Sequence, residues 1–252
     1  MRYDVLGKLR VVDEDTTSFI TAQKVEILLA ALLTGADHIV SADQLMAELW
    51  GERLPRRASA GLHVYVSELR KFLGRRDREN PIVTRSPGYV LRRGTDTIDA
   101  EVFLKHLETG RALVREERHE EACQSLATGL ALWRGPVLGG VGTGLLLRSF
   151  ATRLAEARLE CVEMFVDAQF ELGRYRQQVG LLYSLTTENP LREAFHGRLM
   201  LALYRSDRRA DALQAYQMAR RTLLDELGLE PCSALRSLHD AILRADGLSL
   251  AV

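Results

Sequence analysis

At 252 residues, 46% of them hydrophobic and 27% charged, the chain is long enough for one large or two ordinary globular domains, and its core needs no covalent staples. Its 34 Lys and Arg balance its 34 Asp and Glu, which excludes a wholesale polycation, and no stretch approaches the ~20 apolar residues that span a bilayer. Three widely separated cysteines, Cys123, Cys161 and Cys232, lack the spacing of a disulfide framework or a zinc site. Each sits among apolar, helix-spaced positions and is expected to be a buried structural thiol in a reducing cytoplasm.

Tyr3 to Gly7 and Leu9 to Val12 read as short strands about Gly7-Lys8, and Thr16 to Ile20 as a third, on their β-branched content and alternation. The period then changes. Val25, Leu28, Leu29 and Leu32 recur at helical spacing over Gln23 to Thr34, and Gly35-Ala36-Asp37 stops that helix. Ser41-Ala42-Asp43-Gln44 is a capping box that starts a second helix through Leu45, Leu49 and Trp50, with Gly51 at its end. Pro55 precedes a third helix of about Arg57 to Leu73. On it Leu62, Val66, Leu69 and Leu73 form one apolar stripe, leaving His63, Ser67, Arg70 and Lys71 available and Tyr65 and Glu68 at the edge. Ile82 to Arg85 and Tyr89 to Arg92 are strands about the turn Ser86-Pro87-Gly88.

Between Arg53 and Arg93 stand eleven Lys and Arg against three acidic residues, on a chain whose net charge is zero. Such asymmetry points to nucleic acid or another polyanion, or else to a solvated basic face. The order strands, three helices, hairpin favours the first. A helix-turn-helix sets its last helix in the major groove, and a closing hairpin reaches the adjacent minor groove, where Arg85 near the tip meets deep negative potential. The candidate DNA-binding set is Arg56, Arg57, Ser59, His63, Tyr65, Ser67, Glu68, Arg70, Lys71, Arg75, Thr84, Arg85 and Tyr89.

Leu62-His63-Val64-Tyr65-Val66-Ser67-Glu68-Leu69-Arg70-Lys71, followed by Thr84-Arg85-Ser86-Pro87-Gly88-Tyr89-Val90-Leu91, resembles the output domain of OmpR-type winged-helix regulators. The chain as a whole is similar to the Streptomyces antibiotic regulatory protein family, which joins this winged helix to a bacterial transcriptional activation domain. The resemblance implies two domains: an α+β winged helix-turn-helix over residues 1–94 and an all-α, tetratricopeptide-like array over 95–252. It further implies an activator of an antibiotic or similar secondary-metabolite gene cluster. Its partners would be double-stranded promoter DNA carrying direct repeats, a second protomer bound in tandem, and RNA polymerase holoenzyme. Regulators of the OmpR type often carry a basic residue where Glu68 stands. Two readings of Glu68 are open: it accepts from cytosine N4, or it turns inward to pair with Arg70 or Lys71.

From Asp99 onward no strand is evident and apolar residues recur at helical spacing, as in Val102, Phe103 and Leu107, or Leu159, Val162, Phe165 and Val166. Residues 95–252 carry a small net negative charge and do not suit nucleic acid. Leu172-Gly173-Arg174-Tyr175 and Ser206-Asp207-Arg208-Arg209 open two helical hairpins offset by 34 residues, and Arg118 to Ala122 fits an earlier copy. Extra residues between the copies are placed at Arg134 to Ser149. Tyr175, Tyr204 and Tyr216 are expected to pack in the array, which would offer its surface to another protein.

Gly140-Val141-Gly142-Thr143-Gly144 lacks the Lys-Ser/Thr and preceding strand of a phosphate loop and reads as a flexible loop. No nucleophile, metal or cofactor motif appears, so an enzyme is not expected, nor a metal or cofactor. The remaining alternative is a helical-repeat interaction adaptor whose basic domain docks without sequence specificity.

Overall fold

The computed structural model describes residues 1–74, 79–142 and 144–244. The chain divides into two compact units, Met1–Glu108 with Thr128–Glu160, and Thr109–Ala127 with Cys161–Val252.

In the first unit, β1 (Arg2–Asp4), β2 (Arg10–Asp13), β3 (Thr16–Ser18) and β7 (Thr97–Ile98) form one sheet in the order β3-β2-β1-β7, with β7 parallel to β1 and the other pairs antiparallel. α1 (Gln23–Thr34) is its core helix, buried from Val25 to Leu33, and packs on α2 (Ala42–Trp50), α3 (Ala58–Leu73) and β6 (Gly88–Leu91). The expected bounds of α1 hold. Ser41 Oγ accepts from the Gln44 amide at 3.1 Å and Gln44 Oε1 accepts from the Ser41 amide at 3.0 Å, so the capping box is closed from both sides. A second sheet, β4 (Val40–Ser41), β6 and β5 (Ile82–Arg85), has the order β4-β6-β5 and is antiparallel. The two-residue strands β4 and β7 carry no periodic signal and were not expected.

The same unit contains α4 (Asp99–Arg115) from its start. The buried Asp99 carboxylate accepts from the amides of Val5 (2.7 Å) and Leu6 (3.1 Å) and from Arg134 (3.2 Å). Burial pushes this carboxyl above its usual range, against the pull of those three donors. The Arg134 and Leu138 amides return the contact by donating to the carbonyls of Leu6 and Val5, each at 2.8 Å. Residues 134–140 are therefore folded: a tight turn covers Val137–Gly140, with Leu138 and Gly139 in left-handed backbone and Val137 and Leu138 buried. Of the loop expected over Gly140–Gly144, Gly140 closes this turn and Thr143 lies outside the described residues; α6 (Leu145–Glu171) follows.

The second unit is helical. It is built from the remaining parts of α4, α5 (His119–Leu130) and α6, then α7 (Tyr175–Glu188), α8 (Glu193–Tyr204), α9 (Arg209–Leu227) and α10 (Ser233–Arg244). One turn recurs three times. Glu117, Gly173 and Asp207 all adopt left-handed backbone, at φ 58°, 72° and 63°. At each, that residue's amide bonds the carbonyl three residues back, and the following arginine's amide bonds the carbonyl five residues back. The longer bonds run from Arg118 to Leu113, Arg174 to Gln169 and Arg208 to Leu203, each at 2.9 Å. This closes a helix on its own last carbonyls and starts the next. The offset of 34 residues between the last two copies is thus a repeat of backbone geometry as well as of sequence. Cys123 and Cys161 are buried as expected, but Cys232 is exposed, because it stands before α10 rather than within it.

Candidate nucleic-acid interface

α3 has one buried stripe, Ala58, Leu62, Val66, Leu69 and Leu73, at helical spacing. Off this stripe Ser59, His63, Val64, Ser67, Glu68 and Lys71 are exposed. Arg56 and Arg57 are exposed just before the helix, and Arg75 lies outside the described residues. Tyr65 is half-buried, its ring 6.0 Å from that of Trp50 at the end of α2.

The hairpin of β5 and β6 is joined to this helix by side chains. Arg70 is half-buried and reaches toward the hairpin: its guanidinium donates to the Ile82 carbonyl (3.1 Å) and to Thr84 Oγ1 (2.9 Å) and lies 6.0 Å from the centre of the Tyr89 ring. The expectation that Arg70 stays available on the open face is therefore corrected; the helix places it beside β5, whose carbonyl needs a donor. Tyr89 is buried, and its hydroxyl lies 2.8 Å from His63 Nδ1. Burial raises the pKa of that phenol. Thr84 and Arg85 are exposed at the hairpin tip. Glu68 is exposed and pairs with neither Arg70 nor Lys71 among the described residues.

The tip is fixed by close approach. A Cβ on Gly88 would lie 2.0 Å from the Val40 carbonyl oxygen, so only glycine lets β6 pair with β4 there. The Ala42 amide donates to the Pro87 carbonyl (3.0 Å), and the Ser86–Pro87 peptide bond is cis. Asn80 is a positioning residue that sequence reasoning missed. Its Nδ2 donates to the Arg70 carbonyl (2.7 Å) at the end of α3, and its Oδ1 accepts from the Ile82 amide (3.1 Å) at the start of β5. The signal available for it was the turn dipeptide Asn80-Pro81.

Not all of the basic block faces outward. Arg93 pairs with Asp37 (3.4 Å) and with Glu101, so its charge is met within the protein. Arg53, Arg56, Arg57, Lys71, Arg85 and Arg92 remain exposed. Among the described residues no cluster of His, Cys, Asp and Glu is placed to hold a metal ion, and no helix is long and apolar enough to cross a membrane.

Three helices with a recognition face, followed by a β-hairpin bonded to that helix, define a winged helix-turn-helix. The family described as "Transcriptional regulatory protein, C terminal" matches residues 19–91, and the family described as "Bacterial transcriptional activator domain" matches residues 98–243. The chain is 36% identical over 248 residues to the transcriptional regulator RedD of Streptomyces coelicolor, covering 96% of this chain and 70% of RedD. It is 34% identical to the transcriptional regulatory protein EmbR of Mycobacterium tuberculosis, covering 98% of this chain and 64% of EmbR. It is 35% identical to the regulatory protein AfsR of S. coelicolor, covering 98% of this chain but 24% of AfsR. The solved structure of M. tuberculosis EmbR in complex with a low-affinity phosphopeptide superposes with a TM-score of 0.91 at 34% identity, over 98% of this chain and 66% of that one. The chain belongs to the Streptomyces antibiotic regulatory protein family of transcriptional regulators.

Proposed function

We propose that the protein is a sequence-specific, DNA-binding transcriptional activator. α3 lies in the major groove, the β5–β6 wing follows the backbone to the adjacent minor groove, and Arg85 enters it. The observation that carries this reading is the pairing of α3 with the wing through Arg70, which presents the exposed face of α3 and Arg85 as one surface. Arg56, Arg57 and Lys71 supply phosphate contacts, with Ser59 and Ser67 on the same face, and Glu68 accepts from cytosine N4. His63, Tyr65, Arg70, Thr84 and Tyr89 shape and hold that surface. Residues 1–94 bind DNA, and the helical repeats of 95–252 serve the activation step.

Two protomers bind promoter direct repeats in tandem, about one helical turn apart so that both occupy one face of the duplex. They recruit RNA polymerase holoenzyme in the cytoplasm, at a gene cluster for an antibiotic or similar secondary metabolite. Membership of the Streptomyces antibiotic regulatory protein family supports the class of target. Footprinting of the full chain on DNA selected from a random pool, at physiological salt, tests the reading. A discrete, repeat-spaced footprint is expected. A smeared footprint that vanishes with modest salt points instead to a repeat adaptor with a nonspecific basic domain.

A further inference from the structure

Apart from Lys71, the long polar side chains of α3 are not its most outward ones. At about 100° per residue, Ala60, Val64 and Lys71 lie within about 20° of the direction opposite the buried stripe, whereas His63 and Arg70 sit to one flank and Tyr65 to the other. The contacts agree with that geometry. His63 is held by Tyr89, Arg70 by Ile82 and Thr84, and Tyr65 packs by Trp50. The centre of the outward ridge is therefore Val64, a large apolar side chain 54% exposed, with small Ala60 one turn before it and Ser67 one turn after.

We infer that Val64 is a specificity-determining residue that reads the C5-methyl group of a thymine in the major groove. The inference rests on the DNA-binding reading above. Among the groups on the major-groove edges of the four base pairs, the thymine methyl is the apolar one. A branched, stiff side chain with two methyl groups and no donor or acceptor discriminates in its favour and against the amino group of cytosine, which it leaves unsolvated and unpaired. Ala60 is short enough to let the helix axis approach the base edges at this point. Lys71, two turns beyond Val64, reaches the backbone and fixes depth without adding sequence preference. The half-site thus prefers thymine at the position under the middle of α3.

The test uses full-length protein and duplexes selected from a random-sequence DNA pool. The wild type and Val64→Ser are each carried through selection, and every thymine in the wild-type site is then replaced singly by uracil, which removes only the methyl group. At one thymine per half-site, uracil is expected to weaken wild-type binding about fourfold, the worth of one buried methyl group. Val64→Ser is expected to lose the preference for thymine there and to be indifferent to the uracil. If the wild type selects a discrete site but Val64→Ser selects the same one, or uracil is tolerated at every thymine, the Val64 inference is overturned and the DNA-binding reading stands. If the wild type selects no discrete site, both fall.

Discussion

The hydroxyl of Tyr89 lies 2.8 Å from Nδ1 of His63, so the wing strand β6 and the recognition helix α3 share a hydrogen bond across 26 residues of chain. Tyr89 is buried and orients His63 on the exposed side of α3. Tyr89→Phe is expected to cost about 1 kcal/mol in urea denaturation, the net worth of a partly buried hydrogen bond. It should also weaken binding to selected duplex only a few-fold in anisotropy titrations.

Arg70 and Arg85 are both arginines of the basic block, yet they act differently. Arg85 is exposed at the wing tip, whereas Arg70 is bonded to β5. Arg85→Ala should lower affinity and reduce the slope of log K against log salt by about 1, as loss of one DNA-facing charge does. Arg70→Ala should lower affinity with less change of slope and should also destabilise the fold. Titration at several salt concentrations separates the two. An equal loss of slope in both would place Arg70 on the DNA.

Glu26 is buried in α1, with Oε1 unpartnered, and burial raises its carboxyl pKa. A carboxyl raised on folding favours the folded state most at pH below its unfolded value, and that advantage is lost as pH rises through the folded value. At neutral pH the charge therefore opposes folding. Glu26→Gln is expected to stabilise by about 1 kcal/mol at pH 7 and to lose that advantage as pH falls below the ordinary glutamate range. Urea midpoints at the two pH values check this.

Glu48 Oε1 accepts from the Leu146 amide (2.6 Å) at the start of α6, and a Cβ on Gly144 would lie 2.1 Å from the other carboxylate oxygen. Glu48→Ala should cost about 1 kcal/mol, as loss of a helix cap does. Gly144→Ala should cost about 1–3 kcal/mol through overpacking. The double variant should cost less than the sum, because removing the carboxylate makes room for the methyl. Strict additivity in a double-mutant cycle would reject the contact.

Among the three repeated turns only Glu117 has neither glycine nor aspartate in the left-handed position. Glu117→Gly should raise stability by about 0.5–1 kcal/mol, the left-handed penalty less the entropy of glycine. Asp207→Gly should change little, since aspartate tolerates that backbone. Thermal melts of the two variants provide the comparison.

The sequence by itself determined what a few consecutive residues can decide. The bounds of α1, the capping box of Ser41 and Gln44, the buried stripe of α3 and the turn between β5 and β6 all rest on helical period, capping or turn chemistry. The recurrence of helical hairpins at an offset of 34 residues was legible in the sequence, whereas the left-handed backbone at Glu117, Gly173 and Asp207 came from the structure. Only the tertiary structure decided the two-residue strands β4 and β7, which have no period and exist because β6 and β1 offer them partners. It also decided that Gly88 serves a close approach to Val40, that Asn80 bridges α3 to β5, and that Cys232 faces solvent. Above all it decided the direction of Arg70. A charge count assigns every arginine of the basic block to the partner, but a guanidinium is also drawn to acceptors the fold brings near it, and for Arg70 these are the Ile82 carbonyl, twelve residues further along the chain, and Thr84 Oγ1.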